Sequence, residues 1–132
     1  TAPTTIFSFN TKTEEAKELG RAAVGTQEYI TSIDVDSTGR YLYYVPGAHG
    51  RSENDGSAVV QFDTKTKTRK VIALLLPFLK EKLGAIPTGT FWTAIDPAGD
   101  KLYITWNVKR GTAAWDCCAL TVIHIPESER RP

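Results

Sequence analysis

The chain has 132 residues, 41% of them hydrophobic, with 16 basic and 15 acidic side chains and a net charge of +1. That length ordinarily makes one domain with a buried core. The even charge balance excludes a broad pull toward nucleic acid or an anionic membrane, and no apolar run reaches the length of a membrane span. The chain begins at Thr1 and contains no methionine, which points to a polypeptide processed or cut from something longer.

In chain order, Thr4 to Asn10 is β-branched and aromatic and reads as a strand. Thr11-Lys12-Thr13 turns it. The segment from Glu15 to Ala23 has helical propensity, yet its place in a repeat makes it the returning strand. Three more strands follow, within Ile30–Asp36, Tyr41–Val45 and Ala58–Asp63, the first two joined by the tight turn Ser37-Thr38-Gly39-Arg40. Pro77 to Gly84 has proline near its start and glycine at its end, and so reads as a short helix, with Phe78, Leu79 and Leu83 expected to pin it down. The only cysteines, Cys117 and Cys118, are adjacent. They make neither a disulfide framework nor a zinc signature, and are expected one on each face of a strand start.

Two segments recur. Phe7-Ser8-Phe9-Asn10-Thr11-Lys12-Thr13 matches Val60-Gln61-Phe62-Asp63-Thr64-Lys65-Thr66 at a shift of 53. Asp36-Ser37-Thr38-Gly39-Arg40-Tyr41-Leu42-Tyr43 matches Asp96-Pro97-Ala98-Gly99-Asp100-Lys101-Leu102-Tyr103 at a shift of 60. A repeat of this length built of short strands and turns is the signature of propeller blades. With strands A to D counted from the axis outward, the chain spells C-D, then A-B-C-D, then A-B-C. The Asp-x-x-Gly hairpins followed by Leu-Tyr resemble those of WD40-like β-propeller repeats of the TolB and lactonase type. The Gly-His and Trp-Asp pairs of true WD40 repeats are missing from their usual places.

The resemblance implies an all-β chain forming the C-terminal part of one incomplete β-propeller. Its antiparallel four-stranded blades number about two and a quarter: a partial blade over 1–25, a full blade over 26–76, a loop over 77–90 and a partial blade over 91–126. It also implies a secreted or periplasmic location. A propeller closes with about four to eight blades, so the remaining blades are expected from a second polypeptide, as after a proteolytic nick, or from upstream in the parent gene. Self-association is the rival, and C-D does not complement A-B-C.

In such a ring the tight turns at Ser37–Arg40, Thr64–Lys67 and Ala98–Asp100 share one rim. The long connections Gly47–Ser57, Leu76–Thr90 and Asn107–Cys117 share the other. Long loops gathered on one rim of a rigid scaffold mark the binding or catalytic face. Two functions follow. The first is a platform that binds a protein or carbohydrate, with Trp92, Trp106 and Trp115 as stacking surfaces and Lys109 and Arg110 as an anion contact. The second is a polysaccharide lyase or hydrolase, with His49 and Tyr44 in proton transfer and Arg51 pairing a substrate carboxylate. The plainer readings are a solvated loop, tryptophans packed between blades and solvated charges. Glu53-Asn54-Asp55-Gly56 offers oxygen ligands but lacks the spacing of a calcium loop, so no metal is expected. With no Gly-rich phosphate loop, nucleophile elbow or His-Glu-x-x-His pattern, no cofactor is expected either.

Overall fold

The two repeated turns fold as repeated geometry. In a computed structural model, which describes residues 4–47, 50–111 and 117–130, Asp36 Oδ1 accepts hydrogen bonds from the amides of Arg40 and Tyr41, both at 3.0 Å. Asp96 Oδ1 accepts from Asp100 and Lys101 at 2.9 and 3.1 Å. Gly39 and Gly99 take φ of 73° and 74°, the left-handed region that glycine enters without steric cost. The second repeat behaves likewise. Asn10 Oδ1 accepts from Lys12 and Thr13, and Asp63 Oδ1 from Lys65 and Thr66.

These turns connect nine strands among the described residues: β1 (Thr5–Asn10), β2 (Glu15–Arg21), β3 (Ile33–Val35), β4 (Tyr41–Tyr44), β5 (Ala58–Asp63), β6 (Thr68–Leu74), β7 (Ile86–Ile95), β8 (Lys101–Lys109) and β9 (Cys117–His124). All pairs are antiparallel, and the strands form sheets of two (β1-β2), four (β3-β4-β5-β6) and three (β7-β8-β9). The grouping of strands is the one expected from the repeat, and the fold is mainly β. Glu15–Arg21 pairs with β1 as a strand, so tertiary pairing overrides its helical propensity. The first strand of the four-stranded sheet is shorter than its sequence suggests, spanning only Ile33–Val35.

The four-stranded sheet lies in the middle. One face, with Tyr41, Tyr43, Val45 and Val59, packs on Leu102, Ile104, Trp106 and Val108 of the three-stranded sheet. The other, with Tyr44, Val60 and Phe62, packs on Ile6 and Ala22 at the two-stranded sheet. Burial on both faces explains why β5 reads Ala-Val-Val-Gln-Phe without alternation. Gln61 tolerates that position because its amide donates to Tyr43 Oη and to the carbonyl of Glu129, at 2.9 and 2.8 Å. By contrast β8 is buried at Leu102, Ile104, Trp106 and Val108 and open at Lys101, Tyr103 and Thr105, the period of a sheet covered on one face.

Two elements differ from expectation. Helix α1 runs Leu75–Leu83 with Gly84 as a left-handed C-cap, so Pro77 sits third in the helix. Leu79 is its buried anchor, whereas Phe78 and Leu83 are 59% and 66% exposed. The connection expected over 77–90 ends earlier, because β7 begins at Ile86. Pro87 and Gly89 read as strand breakers. Bulges between Pro87 and Gly89 and between Thr90 and Trp92 carry the pairing through them. A short helix α2 (Glu127–Arg130) closes the tight-turn end, where Arg130 donates to the carbonyls of Ile125 and Ala98. Cys117 and Cys118 are free thiols, partly buried and exposed respectively, at the start of β9. Among the described residues no helix is long and apolar enough to cross a membrane.

Candidate functional site

The described parts of the connections around residues 22–32, 47–57 and 75–87 meet at one end of the three sheets, and hydrogen bonds lock them together. Asp55 lies in a 3-10 turn over Ser52–Asp55. Its carboxylate accepts the amides of Thr26 and Gln27 at 2.9 and 3.0 Å and the Thr26 hydroxyl at 3.0 Å. The buried hydroxyls of Ser52 and Ser57 both donate to the Pro87 carbonyl, at 3.2 and 2.8 Å. Gly47 donates its amide to the Tyr29 carbonyl, and Glu28 pairs with Arg21. Gly47 is required there: with φ of 98°, a Cβ would stand 2.6 Å from the Ser52 Cα. Three sheets are thereby joined at this end through loops rather than strand pairing.

Charge on this end centres on Glu53. Its Oε1 lies 3.4 Å from Lys109 Nζ, and its Oε2 is buried and accepts no hydrogen bond among the described residues. Arg51 is exposed beside it, held at φ of 75° with its carbonyl accepting the Asn54 amide. Arg110 is exposed one residue beyond Lys109. Of the residues weighed from sequence as calcium ligands, Glu53 thus turns one oxygen to Lys109 and Asp55 turns its carboxylate to Thr26 and Gln27.

The expected site residues separate. Tyr44 ends β4 on the side of the long loops but is not open to them. It is fully buried between the two- and four-stranded sheets, with its hydroxyl donating to the Ala22 carbonyl at 2.5 Å. Burial raises its ionisation well above the ordinary phenol range. A phenol so placed cannot take a proton from a substrate, which corrects its role beside His49. Trp106 is 2% exposed between the sheets and donates its indole N–H to Thr121 Oγ1 at 2.9 Å, so it serves packing and not stacking. Trp92 is 66% exposed, but on the body of the three-stranded sheet. Arg51, Lys109 and Arg110 do share the loop end. His49 and Trp115 lie outside the described residues.

Glu53 and Asp55 as charged centres, and Ser52 and Ser57 as loop locks, were not singled out from sequence as a connected set. Their partners stand 28 to 56 residues away, and no local spacing signals them.

At the opposite end the side chains serve the hairpins. Arg40 forms a bidentate pair with Asp63, Nε to Oδ1 at 3.0 Å and Nη2 to Oδ2 at 2.6 Å. The Arg40 hydrogen bond and the amides of Lys65 and Thr66 hold the Asp63 carboxyl far below the usual carboxylate range. No protein-family model matches the chain, and no curated protein matches it, so its reading rests on the geometry above.

Proposed function

We propose that the chain is one segment of a β-propeller in which a second polypeptide supplies the remaining blades, and that the long-loop end is a face for binding a protein or carbohydrate. The observation that supports this reading best is the asymmetry between the two ends. Tight hairpins close one, while the other carries the long loops, tied to one another by Asp55, Ser52 and Ser57. Loops held this way present their side chains at low entropic cost to a ligand. Arg51 and Lys109 offer charge there, and the buried Glu53 Oε2 would be satisfied by a donor arriving at this end. The need for further sheets is argued from the outer faces, where Phe7 and Phe9 on β1 and Leu120 and Val122 on β9 are more than half exposed. A resident second chain would cover them. The lyase or hydrolase reading gains nothing from a buried Tyr44.

Native mass spectrometry of the protein purified from its source tests the proposal. A larger polypeptide is expected to accompany this one, and a monomer of 14.5 kDa would overturn the shared ring. Reversing charge with the double variant Arg51→Glu/Lys109→Glu should release a ligand held at the loop end while leaving the second polypeptide bound. Retention of every ligand by that variant would overturn the binding face.

A further inference from the structure

The second bulge in β7 changes which side chains reach solvent. Thr90 stands opposite Trp106 and Trp92 opposite Thr105, which leaves Phe91 as the extra residue. Consecutive strand residues point to opposite faces, yet here Phe91 and Trp92 are both exposed, at 45% and 66%. They border a cleft of about 410 Å³ whose other wall is the segment from Thr31 to Asp34. That volume falls in the range of small-molecule sites, roughly 300 to 1,000 Å³.

The polar wall is built and fixed. Thr31 Oγ1 donates to the Thr90 carbonyl at 2.6 Å. Ser32 Oγ accepts the Thr93 amide at 2.9 Å and lies 2.9 Å from Thr93 Oγ1. Asp34 Oδ2 accepts the Ile95 amide at 2.8 Å, and its Oδ1 accepts the Val35 amide at 2.9 Å. An ionised carboxylate has about four acceptor positions, so Asp34 keeps acceptor capacity for a ligand. An aromatic surface beside fixed acceptors suits a ligand with a flat C–H face and several hydroxyl or amine donors.

We propose that this cleft binds a pyranose sugar, uncharged or amine-bearing, with Trp92 stacking on the ring and Asp34 accepting from its hydroxyl or ammonium groups. An acidic sugar is disfavoured because its carboxylate would face that of Asp34. The cleft is distinct from the charges of Arg51 and Lys109 at the loop end; in the proposed ring β3 and β7 are the strands nearest the axis, so it opens toward the central channel and its surroundings rest on that reading.

Calorimetric titration of the full chain with cellotriose, chitosan trisaccharide and trigalacturonate tests it. The first two bind and the third does not. Trp92→Ala weakens binding at least tenfold, a change that leaves the fold intact because the side chain is largely in water. Asp34→Asn, which keeps an oxygen for the Ile95 amide, removes the preference for the amino sugar over cellotriose. Phe78→Ala, on an exposed aromatic of α1 outside the cleft, leaves affinity unchanged and so excludes general stickiness. The proposal is overturned if neither cellotriose nor chitosan trisaccharide binds, if trigalacturonate binds best, or if Trp92→Ala binds like the unaltered chain.

Discussion

The two ends of the molecule use the same residue type for opposite purposes. At the hairpin end, Asp36 accepts amides four and five residues ahead of it, and Asp96 does the same. At the loop end, Asp55 accepts amides 28 and 29 residues behind it, from a different connection. A carboxylate that closes its own turn contributes to each hairpin as it forms. One that ties distant loops acts only once the sheets have assembled. The first kind therefore belongs to the stability of the whole, the second to the shape of one surface.

Breaking the short-range kind should cost most. Asp36→Ala leaves the amides of Arg40 and Tyr41 without their acceptor, in a turn whose aspartate is buried. Unfolding in urea should show a loss of about 2 kcal/mol. The Arg40–Asp63 pair gives the next effect, and its sign follows from the depressed carboxyl. The stability it contributes is fully present above the ordinary aspartate value of 3.8 and falls as pH drops through the lower folded-state value. An acid titration of thermal stability should therefore decline below about pH 4, and Asp63→Asn should lessen that decline. Breaking the long-range kind should cost least. Asp55→Ala is expected to change global stability by under about 1 kcal/mol, while amide exchange at Thr26 and Gln27 accelerates because the opening is local. Equal global losses from Asp36→Ala and Asp55→Ala would erase the distinction between the ends.

The same division explains what could be read from sequence. Asp36-x-x-Gly39 and Asp96-x-x-Gly99 carry their geometry within five residues, so the hairpins and the strands beside them were legible. Glu15–Arg21 was legible only through the repeat, since its composition favours a helix. Tyr44 was misplaced because Tyr43 and Tyr44 are both buried, on opposite faces of one strand, and only the packing of three sheets shows that neither face is open. The bulge beside Trp92 leaves no sign in the sequence, because Thr90, Phe91 and Trp92 are all ordinary strand residues; Pro87 and Gly89 mark only the bulge before it. The loop-end bonds of Asp55, Ser52 and Ser57 join segments far apart in the chain, and periodicity does not encode them.

The alternation at the start of β9 has a consequence for thiol chemistry. Cys117 packs against the core between two sheets and lies 3.7 Å from the Val108 carbonyl, while its neighbour Cys118 faces outward. An alkylating reagent in solution meets Cys118 first and Cys117, partly buried beside Leu83, Ala85 and Val108, more slowly. The ratio of the two rates therefore reports how tightly the start of β9 is packed, with the exposed sulfur as the internal reference for the sheltered one.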